Sequence, residues 1–303
     1  MTSAAAPVRT ESAVQGVRTP LLTAGDATTG EAAVFVHGNP GSGEEFAFLV
    51  GAVGEFGRAI APDMPGYGRA AKPDTFDYTV EGYARHLQEL LNQQQVSRAH
   101  LVLHDFGGPW ALAWAADHPD RVGSVTLLNT GILLNYRWHY LAKMWRTRGI
   151  GEAFMATANK PAFKLLLRHG NPRGLPDLFF ERMWTNFDPA TRRAVLKLYR
   201  ATPDPAELSR RLHAKLRPLK LPACVVWGAH DPYLPVDLAY RQRETFPGAD
   251  VIVLDDSGHW PHADNAESVE DAIIPFLRHQ LRPNTTASAA SAGVPPQDQV
   301  RRR

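Results

Sequence analysis

Short apolar runs alternate with longer stretches of helical periodicity along most of the chain. Each run ends in Gly, Asn, Asp or His, and most are followed by a segment in which apolar residues recur at helical spacing. Continuous apolar strands joined by helices are typical of a parallel sheet that is covered on both faces. The predicted strands lie at 32–38, 57–63, 99–105, 124–130, 221–231 and 249–259, and the clearest helices at 79–96, 107–120 and 266–281.

The alternation stops between residues 131 and 216, where only helix-like segments rich in Arg, Trp, Leu and Tyr follow one another. We therefore predict an α/β fold, with a mostly parallel central sheet flanked by helices, formed by 19–130 and 217–281. The helical insertion, 131–216, is predicted to be a lid over the edge of the sheet where open α/β sheets bind ligands. The polar ends, 1–18 and 282–303, are predicted to be disordered because they contain few bulky apolar residues.

Composition narrows the class of protein further. The 303 residues carry 33 Lys and Arg against 31 Asp and Glu, a net charge of +2, which predicts no nucleic-acid partner. A single cysteine, Cys224, excludes an internal disulfide. The first residues lack the apolar core of a signal peptide and no apolar stretch is long enough to span a bilayer, so we expect a soluble cytoplasmic protein with no membrane contact. The oligomeric state stays open.

One glycine-rich segment looks like a phosphate-binding loop but lacks its chemistry. Residues 38–44, GNPGSGE, place two glycines at suitable spacing, but Glu44 and Glu45 stand where such a loop needs Lys and then Ser or Thr. Carboxylates repel phosphate, so nucleotide binding is not expected. No metal-ligand cluster is recognised either, and we predict no cofactor and no metal.

Reactive side chains stand at the ends of several predicted strands. Asp105 follows one strand, Asp231 another and His259 a third. The carboxyl ends of parallel strands lie along one edge of a sheet, so these three side chains can converge although they are far apart in sequence. Nucleophile, acid and histidine in this order are the arrangement of the α/β-hydrolase triad.

The chain resembles the α/β-hydrolase superfamily, and within it the aspartate-nucleophile branch of epoxide hydrolases and haloalkane dehalogenases, over about residues 19–281. The resemblance depends on a set of motifs in the right order. One position departs from the family pattern: Leu103 stands where the nucleophile turn usually has a small residue, whereas Gly107 keeps the second small residue. The motifs are HGNPGS, APDMPGYG, LHDFGG, LNT, VVWGAHDPYLP and SGHWPHADNAESV.

An aspartate at the nucleophile turn changes the predicted chemistry. A serine that attacked a saturated carbon would form an ether, a dead end, whereas a carboxylate forms an ester that water can reopen at its carbonyl. Asp105 therefore predicts displacement of an alkoxide or a halide from an sp³ carbon. His259 is predicted to activate the water, with Asp231 orienting it, and the backbone N–H groups of Asn39 and Phe106 are predicted to form the oxyanion hole.

The leaving group decides between the two activities of this branch. In the related dehalogenases the halide is bound by an amide corresponding to Asn39 and by a Trp beside the nucleophile, but here that neighbour is Phe106. Epoxide hydrolases use lid tyrosines as hydrogen-bond donors, and the segment 195–202 resembles the lid helix that carries one, at Tyr199. Met144 stands where the second is expected, and Tyr140 or Tyr136 is a possible substitute.

These observations favour hydrolysis of an epoxide to a vicinal diol, acting on a small apolar substrate. Haloalkane dehalogenation is the alternative within the branch, and a non-catalytic ligand-binding protein on a hydrolase fold is the alternative from another class. An apolar pocket is expected above the site. Its candidate aromatic residues are Tyr140, Trp145, Trp184 and Trp260.

Overall fold

The computed structural model describes residues 6–281 and 301–302. Its centre is a nine-stranded sheet in the order β1-β2-β4-β3-β5-β6-β7-β8-β9, antiparallel between β1, β2 and β4 and parallel elsewhere. This confirms the predicted α/β class. The strands are β1 Val8–Val14, β2 Val17–Ala24, β3 Glu31–Val36, β4 Arg58–Pro62, β5 Arg98–His104, β6 Val122–Leu128, β7 Ala223–Gly228, β8 Asp250–Leu254 and β9 Arg301–Arg302.

Both faces of the parallel strands are covered by helices, which explains why these strands are apolar throughout. Helices α1 (Ala47–Gly54) and α12 (Ala266–Gln280) pack against one face. Helices α2 (Val80–Gln93) and α3 (Gly107–Asp117) pack against each other on the other face. The remaining short helices of the core, α10 and α11, are Asp237–Arg241 and Pro261–Asp264.

Six helices separate β6 from β7, in the segment predicted to be a lid. Several begin at side-chain caps: the Asp188 carboxylate accepts the backbone N–H of Thr191 at the start of one helix, and a proline follows the cap. These caps satisfy backbone N–H groups at the helix starts, so the segment forms helices without pairing to the sheet. The helices are α4 Tyr140–Arg146, α5 Ile150–Thr157, α6 Lys160–Gly170, α7 Asp177–Asn186, α8 Pro189–Ala201 and α9 Pro205–Leu216.

The prediction of disorder at the N-terminus is wrong for residues 8–18. Strand β1 pairs with β2 along its whole length, from Val8 opposite Thr23 to Val14 opposite Val17. Its side chains are mostly exposed. An edge strand held by backbone hydrogen bonds needs few apolar side chains, so its composition looks like that of a disordered end. Residues 1–5 lie outside the described part of the chain.

The predicted disorder of 282–303 falls almost entirely outside the described residues. The exception is β9, whose two residues pair with Ile252 and Val253 of β8. Among the described residues, no helix is both long and apolar enough to cross a membrane.

Candidate active site

Asp105 stands at a sharp turn between β5 and α3. Its φ is 46°, in the left-handed region that a residue other than glycine seldom occupies. The turn brings α3 close to the neighbouring loop: a Cβ on Gly107 would overlap the backbone oxygen of Val36, and a Cβ on Gly38 would overlap the side chain of Asp105. Two glycines therefore make room for a strained turn that presents the carboxylate above the edge of the sheet.

This packing predicts a strong effect of Gly38→Ala. The new methyl group must displace Asp105, and a shift of about 1 Å at a reacting group can cost ~10²-fold in rate. We expect kcat to fall on that scale with little loss of folded protein, measured by steady-state kinetics and circular dichroism. The matched control is Gly248→Ala, where a Cβ has nothing within 4 Å. Unchanged activity in Gly38→Ala would contradict the described placement of Asp105.

The two carboxylate oxygens of Asp105 have different neighbours. Oδ1 accepts the backbone N–H of Asn39 at 2.7 Å, and the backbone N–H of Phe106 also contributes a hydrogen bond to the carboxylate. Oδ2 lies 3.7 Å from Nε2 of His259. Burial raises the pKa of Asp105, while His259 and the two backbone N–H groups oppose the rise. The N–H of Asn39 is placed where negative charge on Oδ1 would be stabilised.

His259 is held between two carboxylates. Its Nδ1–H donates to Oδ2 of Asp231 at 2.7 Å, so the neutral ring has its lone pair on Nε2, on the side of Asp105. Burial lowers the pKa of His259, but the charge and hydrogen bond of Asp231 and the charge of Asp105 outweigh burial, and the net shift is upward. This is the arrangement of an oriented general base.

Asp231 is fixed by four hydrogen bonds. Besides His259, its Oδ2 accepts from the side-chain amide of Asn129 at 2.7 Å, and its Oδ1 accepts the backbone N–H groups of Tyr233 and Leu234 at 2.7 and 3.0 Å. Asn129 in turn accepts the backbone N–H of Gly228. In the sequence, LNT (128–130) is recognisable only as a family motif. Asn129 is the residue in it that positions Asp231.

The backbone of His259 is tied to the helical insertion and to the core. Its N–H donates to the carbonyl of Gly170, at the end of α6, at 2.9 Å. Its carbonyl accepts Nε2–H of His104 at 2.8 Å. Sequence reasoning missed both contacts, because nothing in either local pattern indicates a bond between segments so far apart.

Behind His259 lies a buried polar cluster formed by Glu45, His104 and His262. One ligand atom from each lies within 4.8 Å of the others, close enough to share a metal ion. Burial raises the pKa of Glu45 and lowers the pKa of His262 to about 3. The imidazoles are therefore neutral, as metal ligands must be. His104 also holds the backbone of His259 through its bond to that residue's carbonyl.

A cavity of about 860 Å³ opens above Asp105 and is lined mostly by apolar side chains of the helical insertion. Its wall contains three of the four aromatic residues that were predicted to line a pocket, Tyr140, Trp145 and Trp260. The side chain of Tyr140 is 48% exposed. Trp184 does not line the cavity, so that prediction is wrong. Its ring packs against Phe163 and Phe187 instead, and helical periodicity alone did not distinguish the two faces of α7.

Tyr199 lies in the wall of the cavity near Asp105. Its ring packs edge-on against Phe106, with ring centroids 5.1 Å apart. Burial, followed by the charge of Asp105, raises the pKa of Tyr199 well above 10, so the phenol keeps its proton. The nearby Asn39 amide lowers this pKa slightly, yet its buried oxygen and nitrogen make no hydrogen bond of ordinary geometry to the described residues. Both groups are thus available to a ligand.

The fold and this arrangement define the class: the chain belongs to the α/β-hydrolase fold family, whose model matches residues 33–266, and is a hydrolase of that family. It is 28% identical to a haloalkane dehalogenase of Mesorhizobium japonicum, over 95% of this chain and 96% of that protein. Two solved structures share the fold. One is haloalkane dehalogenase DbeA of Bradyrhizobium elkani, with a TM-score of 0.79 and 23% identity, and the match covers 90% of this chain and 98% of that one. The other is epoxide hydrolase CorEH, with a TM-score of 0.73 and 21% identity, and the match covers 89% of this chain and 98% of that one.

Proposed function

We propose that this protein hydrolyses epoxides of small apolar molecules to vicinal diols through a covalent ester on Asp105. The observation that carries the proposal is the pairing of the partly buried carboxylate of Asp105 with the protonated phenol of Tyr199 at one apolar cavity. The carboxylate supplies a nucleophile for saturated carbon, and the phenol supplies a donor for the oxygen that must leave.

In the first step, Oδ2 of Asp105 attacks an epoxide carbon. The Oδ2–C bond forms, the C–O bond of the ring breaks, and the developing alkoxide takes the proton of Tyr199. The raised pKa of Tyr199 reflects burial and the nearby charge of Asp105, and that charge disappears as the ester forms. Proton donation therefore becomes easier as the reaction advances.

In the second step, water attacks the carbonyl carbon of the ester. Nε2 of His259 takes a proton from this water, and the resulting imidazolium is stabilised by Asp231 at Nδ1. Negative charge develops on Oδ1, which already accepts the backbone N–H of Asn39. The ester C–O bond then breaks, and the departing alkoxide takes the proton of the newly added hydroxyl, so that a diol leaves and Asp105 is again a carboxylate. The His259 proton returns to the Tyr199 phenolate, directly or through water.

Haloalkane dehalogenation is the second candidate, and the side chain of Asn39 is the observation in its favour. Its buried amide nitrogen has no partner among the described residues and would suit a halide. The dehalogenase relative points the same way. Against it, Phe106 offers no side-chain N–H beside the nucleophile, which leaves Asn39 without the second donor of the halide clamp.

A non-catalytic ligand-binding role would not require the water-activating geometry. Here Asp231 is held by four hydrogen bonds, and the His259 that it orients faces Asp105 where both His259 and Asp105 line the cavity. This arrangement supports turnover as the proposed role.

The test is a direct comparison of styrene oxide and 1-bromohexane on the purified protein. We expect diol formation from the epoxide, and Tyr199→Phe to lower kcat on the epoxide by ~10²-fold, the scale of lost general-acid help. Tyr240→Phe, at a partly buried tyrosine outside the cavity wall, is the matched control and should keep the rate. Bromide release without diol formation would overturn the epoxide proposal in favour of dehalogenation.

A further inference from the structure

His139 stands in the cavity wall, immediately before helix α4. Aromatic rings surround its imidazole: Tyr199 lies at a centroid distance of 6.2 Å, Tyr233 at 5.1 Å and Trp145 at 6.3 Å. Tyr233 also contacts His259, with ring centroids 5.1 Å apart. The imidazole therefore shares the cavity with Tyr199 and lies one ring away from the candidate general base.

The backbone fixes which nitrogen of His139 carries the proton. Its Nδ1 accepts the backbone N–H of Ala142 at 3.2 Å, which caps helix α4. The proton of the neutral ring must then be on Nε2. Burial and, to a smaller extent, the charge of His259 lower the pKa of His139 to about 4, while Asp231 opposes the shift. At neutral pH the ring is a neutral donor with one N–H, and none of the described hydrogen bonds uses it.

The tyrosines that could supply a second donor are less suited to the role. The hydroxyl of Tyr136 donates to the carbonyl of Tyr233 at 3.2 Å. Tyr140 lines the cavity but is half exposed, so water competes for its hydroxyl. Met144 lines the cavity but has no donor at all. His139 thus offers an uncommitted N–H in the cavity wall near Tyr199.

We propose that His139 is a second leaving-group donor, whose Nε2–H binds the epoxide oxygen together with the hydroxyl of Tyr199. This inference rests on the proposed epoxide hydrolysis. While the Oδ2–C bond to Asp105 forms and the ring C–O bond breaks, Tyr199 transfers its proton to the oxygen. His139 keeps its own proton and stabilises the charge through a hydrogen bond.

Two variants of His139 test this role in single-turnover kinetics with styrene oxide. His139→Phe keeps a flat ring but removes the N–H, and we expect the rate of ester formation to fall about 10- to 100-fold. His139→Gln restores an N–H donor, and we expect it to recover part of the loss. A purely structural role would not be rescued by Gln. Equal rates in wild type and His139→Phe, or equal loss in both variants, would overturn the proposal.

A binding measurement separates this inference from the proposed function. The probe is 1,2-octanediol, which carries the product's oxygens and needs no turnover, and Kd is measured by calorimetry. We expect Kd to rise about fivefold in His139→Phe, the scale of one neutral hydrogen bond, and to stay near wild type in His139→Gln. Unchanged diol affinity in His139→Phe overturns the role of His139. Wild-type protein that binds the diol in this pattern but opens no epoxide would overturn the proposed function alone.

Discussion

Replacing Asp105 by Ala is expected to reduce turnover of epoxides to background, a loss on the order of 10⁴-fold or more. The proposed reaction has no alternative nucleophile, because the other carboxylate of the site, Asp231, is occupied by four hydrogen bonds and faces the far side of His259. Substrate binding in the cavity should persist, since its wall is mostly apolar and is unchanged by the substitution.

The measurement is kcat with styrene oxide, together with a thermal unfolding curve to show that the variant is folded. Asp120→Asn is the matched control, because this exposed carboxylate lies at the surface after α3 and touches no part of the cavity. If kcat of Asp105→Ala is within tenfold of the wild-type value, Asp105 is not the nucleophile.

The second large effect is expected for His259→Gln, in which the reaction should stop after the ester on Asp105 has formed. Without Nε2 to take a proton from water, the ester on Asp105 is not hydrolysed, whereas its formation does not require the base. Asp231 would keep an amide partner in place of the imidazole, so the site should remain folded. We therefore expect a stable adduct and loss of steady-state turnover.

Intact-mass spectrometry of His259→Gln after incubation with substrate identifies the adduct and also the leaving group. An epoxide adds its whole mass, because the opened oxygen stays attached, whereas a bromoalkane adds only its alkyl group and loses bromide. The double variant Asp105→Ala, His259→Gln is the control and should gain no mass. An active wild type with no adduct in His259→Gln would argue against the ester route.

The parts of the site that sequence predicted are those that follow from local patterns and sheet geometry. Asp105, Asp231 and His259 each end a segment with a strong strand signal, and the parallel sheet brings such ends to one edge. The same reasoning assigned Asn39 and Phe106 to this edge, because each lies in a turn whose glycines mark the end of a strand. The fold class and the family followed from the same observations.

Other features depend on contacts between distant segments and were therefore missed. The carbonyl of Gly170 holds the N–H of His259, and Asn129 holds Asp231, through pairings that no local pattern encodes. Strand β1 is stabilised by its backbone partners rather than by its side chains, so its polar composition indicated disorder. On α7, the sequence indicated a helix but not that the Trp184 ring would pack against Phe163 and Phe187 instead of lining the cavity.

His139 shows why lid residues are the hardest to assign from sequence. A search for a second lid tyrosine directed attention to Tyr136 and Tyr140, but residue type alone does not show which donors are already in use. The hydroxyl of Tyr136 is committed to the carbonyl of Tyr233, and the cap bond from Ala142 sets the tautomer of His139. Both facts become visible only when the helices are packed against the core.

The central claim is that a carbon–oxygen bond forms between Asp105 and the substrate and is broken by water at the carboxyl carbon. One turnover with protein in excess over styrene oxide, run in water enriched in heavy oxygen, tests it directly. Peptide mass spectrometry should then find the heavy atom in Asp105, and the released diol should carry an ordinary oxygen taken from that carboxylate. Heavy oxygen found only in the diol, with Asp105 unlabelled, would show that water attacks the substrate itself and would contradict the account.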